Sequence, residues 1–314
     1  MAGVIARRAL TLVVVVVVAP SITFLIWSLL RDGDSAPEAA SGLAHYLYAT
    51  FVRGDLGTVN VNGVVMPVRR VLLEGLPVDL GLVFGGLAIG ILVGVGGGLL
   101  CGPLTGARRD HLFGLGSALG LSLPVWLLAY MVLFGFGRIQ GGHPLFFVAD
   151  TGDYAQPWVH PLVYLRAIGT ASAVIAIPLA AACFRMTRVS LRETRDMQHL
   201  TTARAKGINE GRVLRRHALP SAMPGVVTLA GVSLPWLVFN AIMVEIPYNL
   251  PGGFRIAHFG QFLTDTGLPA LISRSHLPQA AGLEGVVLEA AAIIALGMLV
   301  CDALNAWLDP RIRS

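Results

Sequence analysis

The apolar positions of this chain gather into six long runs, at residues 9–30, 76–101, 111–136, 162–184, 222–246 and 285–307. Crossing a bilayer as a helix takes about 20 predominantly apolar residues, and each run meets that length. The pattern predicts an all-α membrane protein with six transmembrane helices in one domain spanning 1–314. A secretory signal peptide is the rival reading of the first run. Such a peptide has an apolar core of roughly 7–15 residues and a small-residue cleavage site. The run after Arg7 and Arg8 is longer and has no A-x-A site, so it reads as a helix that starts inside.

Between the runs, residues 31–75 read as an outer loop, with turn residues Asp32-Gly33-Asp34 and Asn60-Val61-Asn62-Gly63. Residues 102–110 read as a short inner loop, and residues 185–221 as a long cytoplasmic loop. Pro124 lies inside the third run, where it removes a hydrogen bond and kinks the helix. In the second run Gly86, Gly90, Gly94 and Gly98 recur every four residues and share one helix face. A face without side chains lets a neighbouring backbone approach closely, either within the subunit or between subunits.

Composition agrees with the membrane reading. The chain is 55% hydrophobic and 13% charged, against about 25% charged in a soluble domain. Its net charge of +5 does not point to nucleic acid, because the basic residues concentrate between apolar runs. Fifteen of the 23 fall in inner segments: Arg7, Arg8, Arg108, Arg109, the nine from Arg185 to Arg216, Arg311 and Arg313. That bias puts both termini in the cytoplasm. Cys101, Cys183 and Cys301 all fall at the cytoplasmic side, which argues against a structural disulfide.

Catalytic signatures are absent: the chain has no HExxH, no CxxC pair and no GxSxG. His143, His160, His258 and His276 fall in outer segments, where a metal or haem role competes with the commoner one of surface residue. A Walker A loop needs a lysine between glycine and Ser or Thr. The one lysine, Lys206, follows Ala205 and precedes Gly207. ATP-driven transport would therefore need a separate ATPase. Ionisable groups inside the runs look scarce, with Glu245 and Asp302 near helix ends, which counts against an ion-coupled secondary transporter.

The stretch from Arg192 to Pro224 is the longest charged segment and carries seven basic residues. Ala203-Arg204-Ala205-Lys206-Gly207 reads as a helix end with a glycine turn. A second helical run, Arg212 to Leu219, is expected to end at Pro220. The order TTARAKGINEGRVLRRHALPSAMPGVVT resembles the cytoplasmic coupling segment of ABC importer permeases, and of the dipeptide/oligopeptide permease family in particular. Similar in the expected order are Gly54-Asp55-Leu56-Gly57, Ser122-Leu123-Pro124-Val125-Trp126, Glu245-Ile246-Pro247 with Pro251-Gly252-Gly253, and Asp309-Pro310-Arg311-Ile312-Arg313. Gln198 and His199 stand where the family has Asp-Tyr.

The resemblance implies a type I ABC importer permease fold with outer loops and a cytoplasmic coupling helix. It implies a second homologous permease subunit, two ATPase subunits or domains holding ATP and Mg, an extracytoplasmic solute-binding protein, and a bacterial cytoplasmic membrane as its setting. Ala203, Arg204, Ala205, Lys206, Gly207 and Ile208 become the residues expected to couple to the ATPase. Cargo expectations run from dipeptides and oligopeptides to nickel, glutathione or haem-like solutes.

Overall fold

The computed structural model describes residues 2–32, 34–61, 64–101, 107–139, 158–159, 161–194, 197–248, 250–254 and 280–308. Helix α1 (Ala2–Trp27) leads through a π-helical turn to α2 (Ala36–Leu47). A hairpin follows, of β1 (Thr58–Val61) paired antiparallel with β2 (Val64–Pro67). Then come α3 (Val68–Leu100), α4 (Ala107–Ser122), α5 (Val125–Ile139) and α6 (Pro161–Thr194). The remaining helices are α7 (Gln198–Ala205), α8 (Glu210–Val213), α9 (Leu219–Val232), α10 (Leu234–Glu245) and α11 (Ala280–Leu308).

Among the described residues four helices are long and apolar enough to cross a membrane, and two bent pairs bring the number to six if each pair is one span. The expected third span, 111–136, is such a pair: α4 and α5 meet at 102° across Ser122–Val125. Pro124 lacks the N–H that would continue the helix, and the chain folds sharply there. The fifth, 222–246, is the other pair, bent by 49° between Val232 and Leu234.

Polar ends of helices account for the remaining differences in boundary. The second span begins at Val68, within the stretch read as an outer loop, and Arg70 and Glu74 pair there at 2.7 Å along an exposed helix face. The fourth extends to Thr194 through Arg185, Arg188 and Arg192, residues assigned from sequence to the loop. The outer stretch 31–75 also holds α2 and the hairpin. Ser35 caps α2, and the Glu38 carboxylate accepts the Ser35 N–H at 2.8 Å, a reciprocal cap.

Helices α3 and α6 run side by side in the same direction. Gly81 lies against Tyr164 and Ile168, Gly86 against Ile175, Gly90 against Leu179, Gly94 against Ala180 and Cys183, and Gly98 against Thr187. The fourfold glycine repeat therefore packs within the chain, its missing side chains filled by α6. Tyr164 reaches into this seam and donates its hydroxyl to the Pro77 carbonyl at 2.6 Å. Helices α9 and α11 run antiparallel, with Gly231 against Cys301 and Thr228 receiving a hydrogen bond from Asn305 at 3.1 Å. Helix α1 packs on α11 and leaves Leu10, Val13, Val14, Ile22 and Ile26 exposed, the surface a lipid phase would cover. Tyr46 of α2 stacks on Phe24 at 5.0 Å between ring centres, and burial pushes its phenol up to about 12.

Candidate functional site

One end of the bundle gathers the last turns of α3 and α6, the start of α9, and α7 with α8. A small apolar cluster forms there: Leu191, Leu200, Ala203, Val213, Leu214 and Ala218, with Leu99 and Ile208 against it. Leu200 and Ala203 are one turn apart on α7, so burying both orients that helix with its opposite face to solvent.

The turn after α7 is fixed by several independent contacts. Gly207 has φ +73°, the left-handed region. The Gly207 N–H donates to the Arg204 carbonyl at 2.9 Å, and the Ile208 N–H to the Ala203 carbonyl at 3.3 Å. These two bonds make a Schellman motif, completed by the apolar packing of Ile208 with the cluster around Ala203. Asn209 then caps α8, its side chain accepting the Gly211 N–H at 2.9 Å. Arg204 grips Glu210 with two parallel bonds of 3.0 Å, from Nε to Oε2 and from Nη2 to Oε1. A bidentate pair adds directional order even where solvent weakens its energy.

Of the six residues singled out from sequence, Ala203 and Ile208 face inward and Arg204 is held to Glu210. Ala205, Lys206 and Gly207 are exposed, together with Thr201 and Thr202. The outward face is thus small, nearly uncharged apart from Lys206, and rigidly supported. Pro220 does not end the helical run after Arg212. It is the second residue of α9, and α8 continues past it through a π-helical turn at Leu214–Ala218 into the span. The α7 platform is therefore joined directly to α9.

The opposite end holds a group that sequence reasoning missed. Asp79 of α3, Glu245 at the end of α10 and Glu289 of α11 are all buried. Asp79 and Glu289 lie inside the predicted spans, so the expectation that those spans are poor in ionisable groups is corrected. Each stands in a strongly apolar run, and only the fold brings the three together. The Asp79 carboxylate accepts the Gly253 N–H at 2.7 Å. The Glu245 and Glu289 carboxyls both lie within hydrogen-bonding reach of Asp79. Side chains at Gly252 or Gly253 would run into these carboxyls, and one at Gly75 into the Gly253 backbone. Tyr248, just before this segment, is buried, which pushes its phenol up to about 12.

Among the described residues no cluster of His, Cys, Asp or Glu is placed to hold a metal ion. The three cysteines are buried and none is in a disulfide. The outer histidines 143, 160, 258 and 276 and the Asp309–Arg313 tail lie outside the described residues.

A family model described as "Binding-protein-dependent transport system inner membrane component" matches residues 94–314. A Brucella abortus protein named as a peptide transport system permease is 27% identical over 338 residues, covering 100% of this chain and 99% of the relative. A Brucella ovis peptide permease protein is 30% identical over 233 residues, covering 74% of this chain and 67% of the relative. The Escherichia coli D,D-dipeptide transport system permease protein DdpB is 28% identical and covers 99% of this chain and 97% of the relative. Among solved structures, an inward-facing MetNI methionine ABC transporter contains a similar chain, with TM-score 0.53 and 19% identity over 76% of this chain and 97% of that one.

Proposed function

The chain belongs to the binding-protein-dependent transport system inner membrane components, and from that membership we propose that it is a peptide-transporting permease subunit of an ATP-driven importer. It forms the translocation path with a second, homologous permease subunit. The cargo is delivered by an extracytoplasmic solute-binding protein. Both termini lie in the cytoplasm, a reading supported by the basic bias and by the antiparallel pairing of α9 with α11. ATP and Mg are bound by two separate ATPase subunits or domains, since this chain has no Walker A sequence. The peptide names of the relatives support that cargo over nickel, glutathione or haem-like solutes.

The observation that carries the coupling role is the Schellman-closed end of α7. Its exposed residues Thr201, Thr202, Ala205, Lys206 and Gly207 form a small, stiff knob backed by the ends of α3 and α6. A knob with a fixed exit angle suits docking in a groove of an ATPase, where movement of the groove is passed on rather than absorbed. Reconstitution of the chain with its partner subunits tests this reading. Uptake of a peptide in proteoliposomes should need ATP and loaded binding protein and should stop with vanadate.

Buried carboxyls in the spans are a feature of ion-coupled carriers, which keeps a secondary transporter as the second reading. Uptake that survives vanadate but collapses with a protonophore would select it.

A further inference from the structure

We propose that Asp79 and Glu289 share a proton in a latch that holds the Leu250–Phe254 segment closed against α3 and α11, with Glu245 alongside. The segment is seated backbone first. Gly253 donates its N–H to Asp79, Gly75 admits the Gly253 backbone, and Phe254 behind it is fully buried. Asp79 already receives a peptide N–H, so it is the partner suited to carry negative charge. Glu289 is different. It is 7% exposed, and neither of its carboxyl oxygens has a hydrogen-bond partner, although Asp79 is within reach. Two carboxylates that close repel, and burying both charges is strongly unfavourable. The form that fits is the acid, with the Glu289 O–H donating to the Asp79 carboxylate.

Opening the latch hydrates both groups, breaks the O–H bond of Glu289 and releases the proton to water. No electron moves and no other bond changes. The closed form binds one proton more than the open form, so raising the pH favours opening. Other titratable groups face the site from the elements around it. Tyr164 of α6 is committed to the Pro77 carbonyl, Tyr248 stays neutral, and Glu245 of α10 adjoins Asp79. Glu284 of α11 lies more than a turn away, toward Tyr46.

The test uses the full chain, purified in detergent, where neither membrane orientation nor transport enters. Leu250→Cys is introduced with the buried Cys101, Cys183 and Cys301 replaced by Ser. Its maleimide labelling rate is followed between about pH 5 and pH 9 and normalised to Ser41→Cys, an exposed position, to remove the thiol's own titration. The normalised rate should climb by up to about tenfold per pH unit, the slope of one released proton. Glu289→Gln keeps a hydrogen-bond donor but has no proton to lose, so its profile should be slow and flat. A flat wild-type profile, or an unchanged slope in Glu289→Gln, would overturn the latch. Infrared spectroscopy supplies an independent reading without the labelling variant. A protonated carboxylic acid carbonyl band at neutral pH should be present in the native chain and lost in Glu289→Gln. Absence of that band from the native chain also overturns the proposal.

Discussion

Gly207 shows how one residue sets a direction. Nothing lies within 4 Å of where its side chain would be, so a substitution there meets no steric wall. The penalty comes from the backbone, since a left-handed conformation costs a residue with a Cβ about 1–2 kcal/mol. Asn tolerates that region better than most residues, and a β-branched side chain tolerates it worst. Transport by reconstituted complexes should therefore rank wild type, Gly207→Asn, Gly207→Ala, Gly207→Val, with all four reaching the membrane. Equal stimulation of ATP hydrolysis by loaded binding protein across the series would remove the turn from the coupling path. Glu210→Gln is a softer probe. The Arg204–Glu210 pair is about a third exposed, so its loss should cost less than about 1 kcal/mol, read as a small drop in thermal midpoint.

At the scale of elements, the glycine face of α3 can be graded position by position. A side chain at Gly94 would meet the Ala180 carbonyl oxygen at 2.6 Å, and backbone does not move aside cheaply. One at Gly90 would meet Leu179, a side chain with some freedom, while Gly96 has nothing within 4 Å. Gly94→Leu should destabilise by at least the 1–3 kcal/mol typical of overpacking, Gly90→Leu by less, and Gly96→Leu hardly at all. Thermal unfolding in detergent orders the three, and equal midpoints would mean that α3 and α6 do not pack tightly.

These faces were legible in the sequence because a glycine repeat is a local pattern. The same holds for the turn at Gly207, where a helix-forming run precedes the glycine. Element ends were less legible, since Arg70, Glu74, Arg185 and Arg188 are polar yet continue helices past the apolar stretch. Least legible was the contact between Asp79, Gly253 and Glu289. These residues are far apart along the chain, and only the meeting of α3 and α11 at one end of the bundle joins them. Arg204, expected to face a partner, turned out to serve Glu210 six residues on, a pairing hidden until the turn between them closes.

For the whole molecule, the two ends of the bundle have different characters. One carries the α7 platform and the basic ends of the helices, the other α2, the hairpin and the buried carboxyls. The proposed orientation puts the first in the cytoplasm. Thr201→Cys and Ser41→Cys are both exposed, so an impermeant thiol reagent applied to whole cells should label Ser41→Cys and spare Thr201→Cys until the membrane is breached. The opposite pattern would invert the topology.

Helix α3 joins those two ends without a break. Leu99 near its last turn rests on the cluster that supports α7, and Asp79 and Gly75 near its first turns touch the Gly253 backbone. Its 33 residues make a rod about 50 Å long at 1.5 Å per residue. Splinted along the glycine face by α6, such a rod tilts more readily than it flexes. A tilt of only about 5° about its inner end carries Asp79, about 30 Å away along the helix, through about 2.6 Å, close to the length of a hydrogen bond. Leverage of that kind turns a slight rocking of the α7 platform into a stroke long enough to pull Asp79 away from Gly253.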